Sequence, residues 1–159
     1  MSLLLGLILV LCVAATVFVV GRGRASALQG AGAGRQRLNS LPNYHGGFAF
    51  IWAAVPALLF LAVWAPIQTG LIEQAVIASP AGQQLPAFDL ARESILDEAR
   101  AVATGATDLA FTPLARELVP VYEAALGKYG LIGGGFALLL AIAGGVWALT
   151  RIGVDLRAR

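Results

Sequence analysis

The chain has 159 residues, of which 58% are hydrophobic and 13% are charged. A soluble domain of this size could not bury so much apolar surface, so the composition excludes an ordinary soluble globular protein. The formal net charge is only +2, and the seven arginines outside residues 69–128 flank apolar runs instead of forming one patch, which excludes a nucleic-acid-binding protein.

The first apolar run predicts a transmembrane helix over residues 1–21. It differs from a secretory signal peptide because no basic residue precedes Leu3. Arg22 and Arg24 follow the run, and by the positive-inside rule they hold its carboxyl end in the cytoplasm and send the amino terminus outward. Cys12 lies within the run and is interpreted as a small, buried apolar residue.

Residues 22–45 form a loop whose charged side chains are all arginines, which predicts a cytoplasmic position. A second apolar run, residues 46–68, predicts a helix that returns across the membrane. Pro56 predicts a kink because proline removes a backbone hydrogen bond, and Pro66 lies where we expect the helix to end. The aromatic residues near the ends of the apolar runs are interpreted as interfacial anchors; they are Tyr44, Trp52, Trp64 and Tyr129.

Residues 69–128 are predicted to lie in the periplasm, because they contain eight acidic residues against four basic ones. An amphipathic helix is predicted over residues 88–103 and ends at Gly105. A second helix begins after Thr112, a good N-cap followed by Pro113 at the first helical position. This hairpin is too small to bury a sound core of its own, so we expect it to rest on the membrane surface or on a partner.

The third apolar run predicts a transmembrane helix over residues 129–150, followed by a cytoplasmic tail, residues 151–159, that contains three arginines. The sequence thus predicts an all-α membrane protein with three transmembrane helices in an N-out/C-in arrangement. A helical extracytoplasmic hairpin lies between the second and third of them.

Small residues recur every four positions along the third helix and predict close helix packing. They are Gly133, Ala137, Ala141 and Gly145, and Ala148 continues the same face. The pattern leaves two partners open, another helix of this chain or a helix of another chain.

Motifs of enzyme chemistry are missing from the sequence. It contains no G-x-x-x-x-G-K-S/T phosphate loop, no H-E-x-x-H and no G-x-S-x-G. The lone His45 is interpreted as structural, and the neighbouring carboxylates Asp97 and Glu98 point to different parts of a helix face. We therefore predict a non-enzyme without catalytic residues, a bound cofactor or a metal.

One stretch, R-L-N-S-L-P-N-Y-H-G at residues 37–46, resembles the N-terminal extension of PstC-type phosphate ABC transporter permeases. The residues that match are Arg37, Ser40, Leu41, Pro42, Tyr44, His45 and Gly46. The order of the three apolar runs, the basic loop and the acidic insert is similar too, so the resemblance covers essentially all of the chain. It implies a multi-pass protein of the bacterial inner membrane whose partners are the lipid bilayer, the permease core or other permease subunits, and a periplasmic phosphate-binding protein.

The resemblance covers only the first part of such a permease, so we expect a fragment or a stand-alone copy of the extension. The ATPase-coupling signature of those permeases, E-A-A-x-x-x-G, is not matched: Glu123, Ala124 and Ala125 begin it, but Tyr129 replaces the glycine. The resemblance therefore implies an accessory region that supports assembly or docking and does not form the phosphate path. The alternative is an independent small membrane scaffold or sensor protein that binds a partner through its periplasmic hairpin.

Overall fold

The computed structural model describes residues 3–31 and 42–152, and all regular secondary structure in these two ranges is helical. The α-helices are α1 (Leu3–Ala31), α2 (Pro42–Ile77), α3 (Asp89–Ala103) and α4 (Pro113–Arg151), and a short 3-10 helix lies at Gly82–Gln84. Three of them, α1, α2 and α4, are long and apolar enough to cross a membrane. The prediction of an all-α protein with three membrane-capable helices is therefore confirmed for the described residues.

Helices α2 and α4 extend well beyond the apolar runs from which they were predicted. Helix α2 continues through Pro66 to Ile77, and α4 begins at Pro113 and continues through Pro120 to Arg151. The second helix of the predicted hairpin and the third predicted span are therefore one helix of 39 residues. A proline removes only one hydrogen bond from a helix, and packing of the flanking turns offsets that loss.

The chain divides into two compact units. The first, here called the acidic unit, is Trp64–Ile132; the second, the apolar unit, contains Leu3–Val63 and the chain from Gly133 onward. Each unit has its own packing.

The acidic unit has a hydrophobic core of its own, which corrects the expectation that the hairpin could not bury one. Ile72 and Val76 of α2 pack with Leu96 of α3 and with Leu118 and Tyr122 of α4. The expectation failed because it counted only the residues of the hairpin, whereas Ile72 and Val76 in the extension of α2 also belong to this core. At the end of α3, Thr104 is the C-cap and Gly105 has a φ of 75°, a left-handed conformation that favours glycine, as its place in the sequence predicted.

The apolar unit is held together mainly by alanines and glycines. In one cluster, Val10 of α1 packs with Ala57 and Leu61 of α2 and with Ala137 and Ala141 of α4. Smaller clusters continue the contact along α1, α2 and α4; they are Ala14, Ala53 and Ala54 in one and Ala49, Ala148 and Ile152 in the other. Cys12, predicted to be buried, is exposed, because the buried positions of α1 on either side of it are Val10 and Ala14.

Candidate functional site

The small-residue face of α4 lies against α1 and α2. All five of its predicted members are buried, and they are Gly133, Ala137, Ala141, Gly145 and Ala148. The three alanines are fully buried and pack in the clusters just described. In the structure this face therefore contacts helices of the same chain.

Two neighbouring glycines of α4 mark the closest approach of the helices. A Cβ atom added at Gly145 would lie 2.7 Å from Cγ2 of Val17 on α1, well inside van der Waals contact. A Cβ atom added at Gly144 would overlap the backbone carbonyl of Trp52 on α2. The sequence pattern identified Gly145 but missed Gly144, which lies outside the four-residue spacing. The available signal was the adjacency of the two glycines.

Aromatic rings pack beside Gly144. The ring centroids of Trp52 and Trp147 are 4.5 Å apart, and Phe48 lies 6.2 Å from Trp52 and 6.4 Å from Trp147. The Arg151 guanidinium lies 5.3 Å from the centroid of the Trp147 ring, a cation–π distance. This contact joins the basic end of α4 to the aromatic cluster.

The R-L-N-S-L-P-N-Y-H-G stretch lies only partly within the described residues. Arg37, Ser40 and Leu41 fall outside them, and α2 begins at Pro42. Tyr44 is exposed, whereas His45 and Gly46 are buried.

Gly46 lies where α1 and α2 approach closely. A Cβ atom added at Gly46 would lie 3.0 Å from both the ring and the carbonyl oxygen of Phe18. Nearby, a Cβ atom at Gly21 would lie 3.3 Å from Ala49 Cβ and from Ile152 Cδ1. The glycine of the matched stretch thus permits a close helix contact, and the structure gives it a packing role.

An apolar groove runs between α1 and α2, with a cavity volume of about 510 Å³. It is lined by Ala15, Phe18, Val19, Gly47, Phe50 and Ile51. No side chain in this lining can donate a hydrogen bond or carry a charge, so the groove has no group that could bind phosphate.

The acidic unit contains a polar junction that the sequence did not reveal. The Glu98 carboxylate of α3 accepts hydrogen bonds from the backbone N–H of Phe111 and from the N–H of Thr112, the latter at 3.0 Å. The Thr112 hydroxyl donates to the other carboxylate oxygen at 2.7 Å. These three bonds, here called the Glu98 clamp, satisfy backbone donors at the start of α4. Thr112 directly precedes Pro113, the first residue of α4, as the sequence predicted, and its carbonyl oxygen accepts a hydrogen bond from the Arg116 N–H at 3.2 Å.

The Glu98 clamp favours the charged form of the carboxyl group. The bonds from the hydroxyl and the N–H of Thr112 are the main causes that hold the pKa of Glu98 below its usual value. Desolvation opposes them, and the Phe111 N–H bond and the charge of Arg116 lower the pKa further. Arg116 also donates from Nε to the Ala110 carbonyl at 2.8 Å. Two side chains, one on each helix, thus fix the backbone of the α3–α4 connection.

A second set of polar contacts in the acidic unit is centred on Arg100 of α3. Its guanidinium pairs with Glu73 of α2 at 3.9 Å and with Asp97 at 3.5 Å, and all three side chains are substantially exposed. The exposed pairs contribute little to stability, because solvent screens them. Within residues 3–31 and 42–152, no three His, Cys, Asp or Glu side chains are placed to hold a metal ion. The part of the chain that the structure describes therefore offers packing surfaces and a clamped loop, and the absence of catalysis stays a prediction.

Comparison with known proteins gives one match. A family model described as "Phosphate ATP-binding cassette transporter" matches residues 7–132, well over half of the chain. The matched range includes most of α1, all of α2 and α3, the Glu98 clamp and the first half of α4. No curated protein sequence and no solved structure matches the chain.

Proposed function

The chain belongs to a phosphate ATP-binding cassette transporter family, and from that premise we propose that it is an accessory membrane region of a phosphate importer permease. In this proposal it supports assembly of the transporter or docking of a soluble component, and it does not form the phosphate path. The observation that carries the proposal is the acidic unit, which has a hydrophobic core of its own.

The apolar character of the membrane-capable segments supports an accessory role. Residues 3–20, 46–72 and 129–150 contain no Asp, Glu, Lys or Arg. Phosphate is anionic, and unpaired charge in hydrocarbon is very costly, so cationic side chains are expected along its path. The path in this proposal is therefore supplied by other parts of the transporter.

Exposed apolar side chains of the apolar unit supply surfaces for the bilayer and for the permease core or other permease subunits. The small-residue face of α4 already packs within this chain, so contacts with other subunits use other faces. Leu59 and Val63 on α2 and Phe136 and Leu139 on α4 are large, apolar and exposed. In the absence of water, such faces associate through close packing and dispersion.

The arginine distribution supports an N-out/C-in arrangement in the bacterial inner membrane. Seven of the eleven Lys and Arg residues lie in residues 22–45 and 151–159, which face the cytoplasm in this arrangement. Residues 69–128, with their excess of acidic side chains, then face the periplasm. The acidic unit would meet the periplasmic phosphate-binding protein there.

Deletion tests the proposal against its alternative, an independent membrane scaffold or sensor. In a strain that lacks the coding region for residues 1–159, we expect reduced uptake of radiolabelled phosphate or reduced co-purification of the permease subunits with their ATPase. The deletion also removes an independent scaffold, but that protein would leave transporter assembly and uptake unchanged. Unaltered uptake together with unaltered assembly would therefore reject the accessory role.

A further inference from the structure

The connection between α3 and α4, residues 104–112, exposes two large apolar side chains. Leu109 is 70% exposed and Phe111 is 85% exposed. We call these two side chains and the backbone between them the α3–α4 tip. An exposed phenylalanine on a mobile loop could turn inward, but the Glu98 clamp and the Arg116–Ala110 bond fix this backbone from both sides. The tip is therefore a rigid apolar projection on the surface of the acidic unit.

Helix length disfavours the lipid bilayer as the surface that covers the tip. Helix α4 begins at Pro113, and its apolar run begins only at Tyr129. The intervening helix is about 24 Å long at a rise of ~1.5 Å per residue. Even at a tilt of ~40°, the start of α4 stands about 18 Å above the apolar run, whereas the headgroup layer is only about 5–8 Å thick. Exposed charged residues along this stretch, including Glu117 and Glu123, also disfavour contact with lipid.

A second copy of this chain is disfavoured by charge. Residues 69–128 contain eight acidic residues against four basic ones, and Asp108 lies directly beside the tip. Two such surfaces facing each other would bring like charges together as the apolar side chains met, which costs free energy. The partner surface that would complement the tip and its acidic surroundings is an apolar pocket with basic side chains at its edge.

We propose that the α3–α4 tip docks into an apolar pocket, edged by lysine and arginine side chains, on a periplasmic protein. The inference rests on the proposed function, which supplies the side of the membrane and makes the importer's phosphate-binding protein the partner to test. Aromatic side chains in a pocket commonly dominate binding energy. The Glu98 clamp keeps the tip in its binding conformation, so less conformational entropy is lost on docking.

The test uses the full chain in nanodiscs and the purified phosphate-binding protein of the same importer as the probe. The double variant Leu109→Ser/Phe111→Ser removes the tip, and Phe88→Ser/Leu90→Ser is the matched control, since Phe88 and Leu90 are 66% and 69% exposed in the same unit. We expect the tip variant to raise the Kd at least tenfold and the control to change it less than twofold. Glu98→Gln should weaken binding less than the tip variant, and high salt should weaken binding to the wild-type chain.

Several results would overturn the inference. One is that the phosphate-binding protein does not bind the wild-type chain, and another is that the two double variants change the Kd equally. Binding to anionic vesicles that depends on Phe111, or dimerisation of the chain that depends on Phe111, would also overturn it. A tip variant that restores phosphate uptake in the deletion strain as well as the wild-type chain does would also overturn it. Failure of the proposed function is a separate outcome, since it appears as normal uptake and assembly when the whole chain is deleted.

Discussion

Replacing Gly145 by alanine adds one methyl group at the closest contact between α4 and α1. The new Cβ atom would lie 2.7 Å from Cγ2 and 3.3 Å from Cγ1 of Val17. Carbon atoms pack at ~3.5–4.0 Å, so one contact is short by about 1 Å. Valine in a helix strongly prefers one rotamer, and Val17 cannot turn away easily. Either the helices move apart or the rotamer is strained, and such overpacking costs roughly 1–3 kcal/mol.

Gly135→Ala is the matched control on the same helix, because a Cβ atom there would meet no atom within 4 Å. Alanine is a better helix former than glycine by about 1 kcal/mol. That gain applies at both positions, so the difference between the two variants isolates the contact with Val17. We expect Gly145→Ala to be less stable than Gly135→Ala by about 1–3 kcal/mol.

Thermal unfolding of both variants in the same detergent, followed by far-UV circular dichroism, measures this difference. A change of 1 kcal/mol moves the Tm of a chain of this size by roughly 2–4 °C, so the two melting curves should separate by several degrees. Equal melting temperatures would refute the reasoning, because the helices would then be loose enough to accept a methyl group at their closest point.

Three further predictions concern the acidic unit. Leu118→Ala should destabilise the acidic unit by roughly 2–5 kcal/mol, because Leu118 is fully buried in its core. Faster amide hydrogen exchange in this unit measures the loss. The control Leu90→Ala should leave the exchange rates nearly unchanged. Since the folded-state pKa of Glu98 is lowered from 4.5, its stabilisation is present above that value and is lost as the pH falls through the folded-state pKa. Protection of the Thr112 amide should therefore fall on acidification below about pH 4.5, and Glu98→Gln should flatten that dependence. Alkaline phosphatase fused after Gln84 should be active, and a cytoplasmic reporter active at the same place would reject the N-out/C-in arrangement.

Features that depend on local sequence could be predicted. The three apolar runs predicted the membrane-capable helices because a bilayer requires long uncharged segments. Gly105 marked the end of α3, and Pro113 the start of α4, because each satisfies a backbone requirement at its own position. These signals involve a few consecutive residues, so the chain need not be folded for them to be recognised.

Features that depend on tertiary contacts could not be predicted in this way. Helix α2 was expected to end near Pro66, but the turns after it pack through Ile72 and Val76 onto a core that the sequence does not display. Glu98 satisfies N–H groups 13 and 14 residues further along the chain, a pairing that has no fixed spacing. Gly144 faces a backbone carbonyl of α2, and its role emerges only once the two helices are placed together.

The alanine-rich contact among α1, α2 and α4 has a consequence for how the protein can vary. Alanine and glycine have no rotamers to lose, so burying them in this contact freezes no side-chain motion at those positions. Replacing a buried small residue by a larger one should therefore destabilise the helix contact, at positions such as Ala53, Ala137 and Ala141. On the outward half, at Leu59 or Leu139, any apolar side chain of any size should serve, which leaves that half free to diverge to suit different lipids or neighbouring subunits.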